Sequence, residues 1–397
     1  MVNLNFSTVV LLPALLAAGA TTTMVFSTNN ATFANITAII DDTTITTMPG
    51  TDGLPLTREW TGIAPLDRQF TVLLIFFWQL LDGRHPAATL QAAHFFGQMG
   101  AYWTLMQLEA KRQGNKHRII AYTTLIGLLY QNISVAITIP LWCLLHLLAL
   151  PSRTNSSALT ASLSFSPTEA RILPWAMTLG YILPTAAMSL PSPALVPALT
   201  QQTLVSAWQV FPLWIHLSTA AILRPFFSTT TPTTSTTPTT TSTPHLFAFL
   251  LATIPHAATL SLSLSTLLFP ALFRPSLAAS LHPAAVFLPK YSPASPSSAS
   301  SASAAAIPLE EGVHRFMQWD ECVSGAAAVV WAATLYVRDT RIKGNNGGGE
   351  GGIVRWGWLG VAARAVGWSV VGGPAAAAVA LVWGRDEVCL VGGNKKM

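Results

Sequence analysis

Residues 63–108 read IAPLDRQFTVLLIFFWQLLDGRHPAATLQAAHFFGQMGAYWTLMQL: two apolar stretches, 63–81 and 87–108, joined by Asp82-Gly83-Arg84-His85-Pro86. A helix of roughly 20 apolar residues crosses a hydrocarbon layer of about 30 Å, and each stretch is near that length. The short joint carries a glycine and a proline, so it predicts a tight helical hairpin with antiparallel arms. Blocks of similar length recur outward from this pair, at 9–20, 119–150, 172–190, 204–223, 246–273, 316–337 and 354–383. Pro140 divides 119–150, and the ten residues beyond it are too few to cross alone, so this block counts as one kinked span. The pattern predicts an all-α, polytopic transmembrane helical bundle of about eight or nine spans with disordered linkers.

Composition agrees. Of the 397 residues 51% are hydrophobic and 9% charged, where a soluble chain carries nearer a quarter charged. Mean hydropathy is +0.47. Lys and Arg total 21 against 16 Asp and Glu and build no long basic stripe, so the net charge of +5 orients helices in a lipid bilayer and does not bind nucleic acid. Cys143, Cys322 and Cys389 have no metal-type spacing and form no disulfide framework.

The polar punctuation divides the chain. Segment 1–27 is an anchor or signal-like stretch ending its apolar part in Ala18-Gly19-Ala20, and no basic residue precedes it, so both readings stay open. Segment 28–60 is a polar loop with acceptor sequons at Asn30 and Asn35, which suits a glycoprotein with this loop in the lumen. A membrane core (61–225), a Thr/Pro-rich loop (226–245), a span (246–274), a Ser/Ala/Pro-rich linker (275–310), C-terminal spans (311–386) and a tail (387–397) follow. Lys111, Arg112, Lys116 and Arg118 place the 109–118 loop in the cytosol, and alternation then puts the Thr-rich loop in the lumen. The same count places 28–60 in the cytosol, against its sequons, so at least one span is irregular.

Charges at or inside spans are costly and mark candidate sites. Asp82 closes the first arm of the hairpin, Glu109 closes the second, and Asp320 with Glu321 lies in the first turns of 316–337. Each also has a purely structural reading: Asp82 caps a turn beside Arg84, Glu109 pairs with Arg112 three residues on, and Asp320 and Glu321 sit at a helix N-terminus. An antiparallel hairpin separates Asp82 and Glu109 by roughly 30 Å. Four spans between 109–118 and 316 return the chain to the Glu109 side, so Glu109 and Asp320 are expected to converge as acid and base. Phe76, Phe77, Trp78, Phe95, Phe96, Tyr102, Trp103, Trp319 and Trp331 surround these acids as helix packing or as the walls of a hydrophobic substrate pocket. Phe95–Tyr102 and Phe96–Trp103 are i,i+7 pairs, each on one helical face. His94, one turn before Gln98, reads as a packing histidine rather than a metal ligand.

The run Phe77-Trp78-Gln79-Leu80-Leu81-Asp82-Gly83-Arg84-His85-Pro86, then Tyr102-Trp103, Glu109-Ala110-Lys111-Arg112-Gln113-Gly114-Asn115 and Gln318-Trp319-Asp320, resembles the polytopic membrane terpene cyclases of fungal meroterpenoid clusters, of the ascofuranone and ascochlorin type. The likeness covers about 60–118 and 314–338. It implies an enzyme of the endoplasmic reticulum membrane that uses no metal and no cofactor. A carboxylic acid would protonate a terminal epoxide on a farnesyl-type chain, and a base would remove a proton after cyclisation. On that reading Glu109 and Asp320 are acid and base, Asp82 is the reserve, and the aromatic residues shield the cation. A transporter of a secondary metabolite and a non-catalytic membrane scaffold are the other classes open to a polytopic chain.

Overall fold

The computed structural model describes residues 5–150, 155–228, 238–290, 307–345 and 357–391. All regular structure among them is helical, apart from one isolated bridge between Thr47 and Pro55. Helix α1 runs over Ser7–Asn29 and α2 over Thr32–Asp41. The hairpin follows the sequence reading closely, with α3 at Ala64–Leu81 and α4 at Pro86–Ala110. Pro65 and Pro86 each sit in the first turn of their helix, where the missing N–H has no helical partner to lose.

The block at 119–150 is two helices, α5 (Thr123–Ile133) and α6 (Val135–Ala149). The break falls at Ser134, φ 147° and ψ 143°, and not at Pro140, which α6 absorbs. Helix α7 starts at Pro167–Met177 and continues through Thr178–Ile182 into Leu183–Met188. The 204–223 block likewise straddles a bend: α8 (Ala198–Trp208) meets α9 (Phe211–Phe227) at 72°. Helices α10 (Pro238–Leu268), α11 (Leu309–Asn345) and α12 (Gly357–Asp386) complete the bundle. Of the Ser/Ala/Pro-rich linker, Pro275–Ser280 and Pro283–Phe287 are short helices, while 291–306 and most of the Thr-rich tract lie outside the described residues.

Three described helices are long and apolar enough to cross a membrane by length and composition: Ser7–Asn29, Ser242–Leu268 and Gly357–Leu390. The bent α8–α9 pair would be a fourth. Helix α4 shows why the hydropathy blocks and the long apolar helices differ in number. It is buried along nearly its whole length, packed against α3, α10, α11 and α12, and it carries Gln91, His94, Gln98 and Gln107 inside the bundle. A helix enclosed by other helices has no need of an apolar exterior.

Polar side chains in that enclosure satisfy broken backbone. Helix α12 is kinked at Gly373, whose φ of 82° favours glycine, and Gln98 fills the kink. Its amide accepts from Ala375 N at 2.9 Å and donates to the carbonyls of Ala252 and Gly372 at 3.1 Å each. Substituting leucine for Gln98 removes these three hydrogen bonds from the bundle interior, at a cost of about 1–3 kcal/mol. The expected result is a lower thermal unfolding midpoint of the detergent-solubilised protein, and an unchanged midpoint would refute the clamp.

The Asn30 sequon is part of the fold. Asn30 is buried, and its Oδ1 accepts from Thr32 N at 3.0 Å and Thr32 Oγ1 at 2.6 Å, fastening the turn into α2.

Candidate functional site

A cavity of about 290 Å³ opens between α3, α4, α8, α11 and the α5–α6 break. Phe76 and Phe77 enter from α3, Phe95 and Met99 from α4, Trp208 from α8, and Phe316 and Asp320 from α11. Met24 of α1 and Phe33 and Ile36 of α2 cover it. The rings hold one another edge to face, with centroids 5.2 Å apart for Phe76–Phe316 and for Phe77–Trp208. Their faces and edges form an apolar wall whose π-clouds favour a positive charge.

Among the described residues, Asp320 is the only carboxyl on this wall. Helix α11 begins at Leu309, earlier than the apolar block suggests, so Asp320 and Glu321 lie three turns inside it and not at its N-terminus. The Ser134 hydroxyl donates to Asp320 Oδ1 at 2.5 Å and the Ala136 amide donates to the same oxygen at 2.7 Å. Both donors exist because the chain breaks at Ser134: the start of α6 leaves amides without helical acceptors, and a carboxylate oxygen takes one. Ser134 also has a φ that non-glycine residues rarely adopt, and such outliers concentrate at working sites. Among the described residues no Lys, Arg or His forms an ion pair with Asp320.

Glu109 is placed elsewhere. Arg112 Nε stands 2.9 Å and Arg385 Nη2 2.6 Å from its Oε1, and Asp386 ties both arginines, accepting from Arg112 Nη2 at 2.6 Å and Arg385 Nη2 at 2.8 Å. The side chains of Glu109, Arg112, Arg385 and Asp386 are each 1% exposed or less. His146 sits between Glu109 and the indole of Trp331, which donates to its Nδ1 at 2.9 Å. Trp331 is eleven residues beyond Asp320 on α11, about 16 Å along the axis at ~1.5 Å per residue.

The expected convergence of Glu109 and Asp320 is therefore corrected. Asp320 belongs to the half of the bundle that begins at Asp82: next to it, Glu321 accepts from Gln91 Nε2 at 2.8 Å, near the start of α4, and the Met317 carbonyl accepts from the same nitrogen at 3.2 Å. Helix α11 thus runs parallel to α4. The count of four crossings fails because α5–α6 is not one span: α5 leaves the Glu109 end and reaches Asp320 at Ser134, and α6 returns, with Arg118 donating to the Ala149 carbonyl and His146 beside Glu109.

Asp82 lies outside the cavity at the hairpin turn, bound to Arg84, whose backbone N–H donates to Asp82 Oδ1 at 2.9 Å. Phe95, Phe96, Tyr102 and Trp103 are all buried among helices. Of these Phe95 lines the cavity, Phe96 backs it at 5.3 Å from Trp208, and Trp103 packs at 5.3 Å against Tyr130. Tyr102 and Trp78 are buried away from it, and Trp319 faces a small separate pocket with Asn30 and Arg315. His94 is bound to Glu321 and lies 2.8 Å from His256 Nδ1, a hydrogen-bonded packing role.

The residues missed are Ser134, Tyr130, Trp208 and Phe316, whereas Phe76 and Phe77 line the cavity as the aromatic reading allows. Phe316 was within reach, one turn before Asp320 on the same face. Ser134 and Trp208 carry no local signal, because only the helix breaks bring them to Asp320. At the far end of α4, outside the apolar block 172–190, Glu169 bonds Lys111 and accepts from Arg224 Nη2 at 2.7 Å. Burial raises the Glu169 carboxyl, and the two cations outweigh it and hold it below the usual carboxylate range.

A family model described as the CtvD domain matches residues 7–390. The chain is 30% identical over 339 residues to terpene cyclase ascI of Acremonium egyptiacum, covering 84% of this chain and 80% of that one. It is 29% identical to terpene cyclase ctvD of Aspergillus terreus, over 70% of this chain and 74% of that one. Terpene cyclase penA of Penicillium crustosum is 29% identical, with 83% of each chain covered. No solved structure matches.

Proposed function

We infer that this chain, which belongs to the CtvD domain family, is a terpene cyclase that closes an epoxidised prenyl chain of a meroterpenoid intermediate by acid-initiated carbocation chemistry. The observation that carries the mechanism is Asp320, a carboxyl with no cationic partner among the described residues, set into a wall of aromatic rings. Protonated Asp320 gives its proton to the epoxide oxygen, the epoxide C–O bond breaks toward that oxygen, and the positive charge forms on the tertiary carbon. The next double bond attacks it, and the charge moves along a path faced by Phe76, Phe77, Phe95 and Trp208. Loss of a proton from the final cation, taken back by the Asp320 carboxylate directly or by way of water, ends the reaction and restores the acid. The Ser134 hydroxyl and Ala136 amide stabilise the carboxylate that the first step leaves behind.

The substrate is hydrophobic and reaches the cavity from lipid. The polytopic reading, with eight or nine hydrophobic segments in the endoplasmic reticulum membrane, is supported by the apolar exteriors of Ser7–Asn29, Ser242–Leu268 and Gly357–Leu390 around enclosed, more polar helices. The relatives are named as cyclases, and neither the transporter nor the scaffold reading has comparable support.

Purified protein in lipid nanodiscs, given an epoxidised farnesyl-phenol, is expected to form a cyclised isomer of unchanged mass. Recovery of the epoxide intact over many enzyme equivalents would refute the reading.

A further inference from the structure

The end of α5 gives the cavity wall two hydrogen-bond donors without partners among the described residues. Tyr130 is 4% exposed and lines the cavity, and its hydroxyl has no hydrogen-bond partner among the described residues. Gln131, the next residue on the same wall, has a buried Nε2 in the same condition. Buried donors without acceptors are unfavourable and call for an explanation. The Tyr130 ring is fixed by Trp103 at 5.3 Å and Phe211 at 5.9 Å, so its hydroxyl cannot easily swing to a protein acceptor. Tyr130 also stands one helical turn before Ser134, which donates to Asp320, so hydroxyl and carboxyl serve one cavity from adjoining turns.

We propose that Tyr130 is a second catalytic residue, whose hydroxyl donates a hydrogen bond to the substrate oxygen that Asp320 protonates. This rests on the cyclase reading above and adds to it. An epoxide oxygen has two lone pairs. One receives the proton as the Asp320 O–H bond breaks and the new O–H bond forms; the other accepts from Tyr130. The epoxide C–O electron pair then stays on that oxygen, which becomes the product hydroxyl. Tyr130 transfers no proton and returns unchanged. Gln131 Nε2 is the second donor of the wall and contributes in the same direction, less strongly.

The test compares wild type, Tyr130→Phe and Gln131→Leu in nanodiscs, measuring kcat/KM for an epoxidised farnesyl-phenol and the inhibition constant of its olefin counterpart, which lacks the epoxide oxygen. Tyr130→Phe is expected to lower kcat/KM on the order of 10- to 100-fold, with olefin inhibition unchanged within about two-fold. Gln131→Leu should lower it several-fold with the same olefin insensitivity. If Tyr130→Phe converts the epoxide like wild type, as it would were the hydroxyl merely hydrated, the proposal is overturned. Parallel loss of olefin binding would show a packing role and overturn it too. Should Tyr130→Phe fail to fold, the Gln131→Leu ratio decides. A wild type that converts no epoxide removes the cyclase reading and this proposal together; a converting wild type with indifferent variants removes this proposal alone.

Discussion

Asp320→Asn is expected to abolish cyclisation, lowering turnover by about 100- to 10,000-fold, while the protein folds and extracts from membranes as wild type does. The expectation of intact folding comes from geometry. Asparagine keeps the oxygen that accepts from Ser134 at 2.5 Å and Ala136 at 2.7 Å, so the α5–α6 break retains its fastening to α11. What it lacks is an acidic proton. Ser134→Ala removes one donor to the conjugate base and should cost less, about 3- to 30-fold, since the Ala136 amide remains. Asp82→Asn should stay near wild type, because Asp82 is occupied by Arg84 at a turn outside the cavity. Product formation by purified variants, with thermal unfolding as the folding control, checks all three. Turnover of Asp320→Asn within ten-fold of wild type would remove Asp320 as the acid.

The hairpin and the aromatic burial could be read from residues, whereas the pairing of acids could not, and the reason is physical. The period of a helix and the punctuation by Asp82-Gly83-Arg84-His85-Pro86 are local properties, so α3 and α4 emerge from sequence within a few residues. The side on which Asp320 lands depends on every intervening crossing. One of those elements doubles back for a reason invisible locally: Ser134 adopts an extended positive-φ conformation stabilised by Asp320 itself, and α6 returns to the end from which α5 came. One irregular element is enough to invert the parity of a topology count. Likewise the i,i+3 spacing of Glu109 and Arg112 pointed to a pair, and the structure has that pair, but its larger partners, Arg385 and Asp386, come from the last helix. The contacts that join Glu109 and Arg112 to Arg385 and Asp386 leave no spacing signature in either segment.

That cluster is where the largest loss of stability is expected. Arg385→Ala leaves Glu109 and Asp386 with Arg112 as their one shared guanidinium among the described residues, and Asp339 with Arg338, in a buried site. Removing one member of a buried ionic network typically costs about 3–5 kcal/mol, because the remaining charges stay buried without compensation. Loss of accumulated protein, or a sharply lower unfolding midpoint, is the expected result. Arg385→Lys should recover only part of it, since one ammonium replaces a guanidinium that donates to Glu109 from Nη2 at 2.6 Å and to Asp386 from both Nη2 at 2.8 Å and Nε at 3.0 Å, with Nη1 3.9 Å from Asp339. Glu109→Gln separates structure from chemistry: it should lower the unfolding midpoint while the protein that remains folded turns over within a few-fold of wild type. The opposite outcome, a stable Glu109→Gln variant with no activity, would return Glu109 to the reaction. The geometry argues against it, because a carboxyl bracketed by Arg112 and Arg385, roughly three helical turns along α11 from the cavity, has neither the free proton nor the reach to touch a substrate held at Asp320.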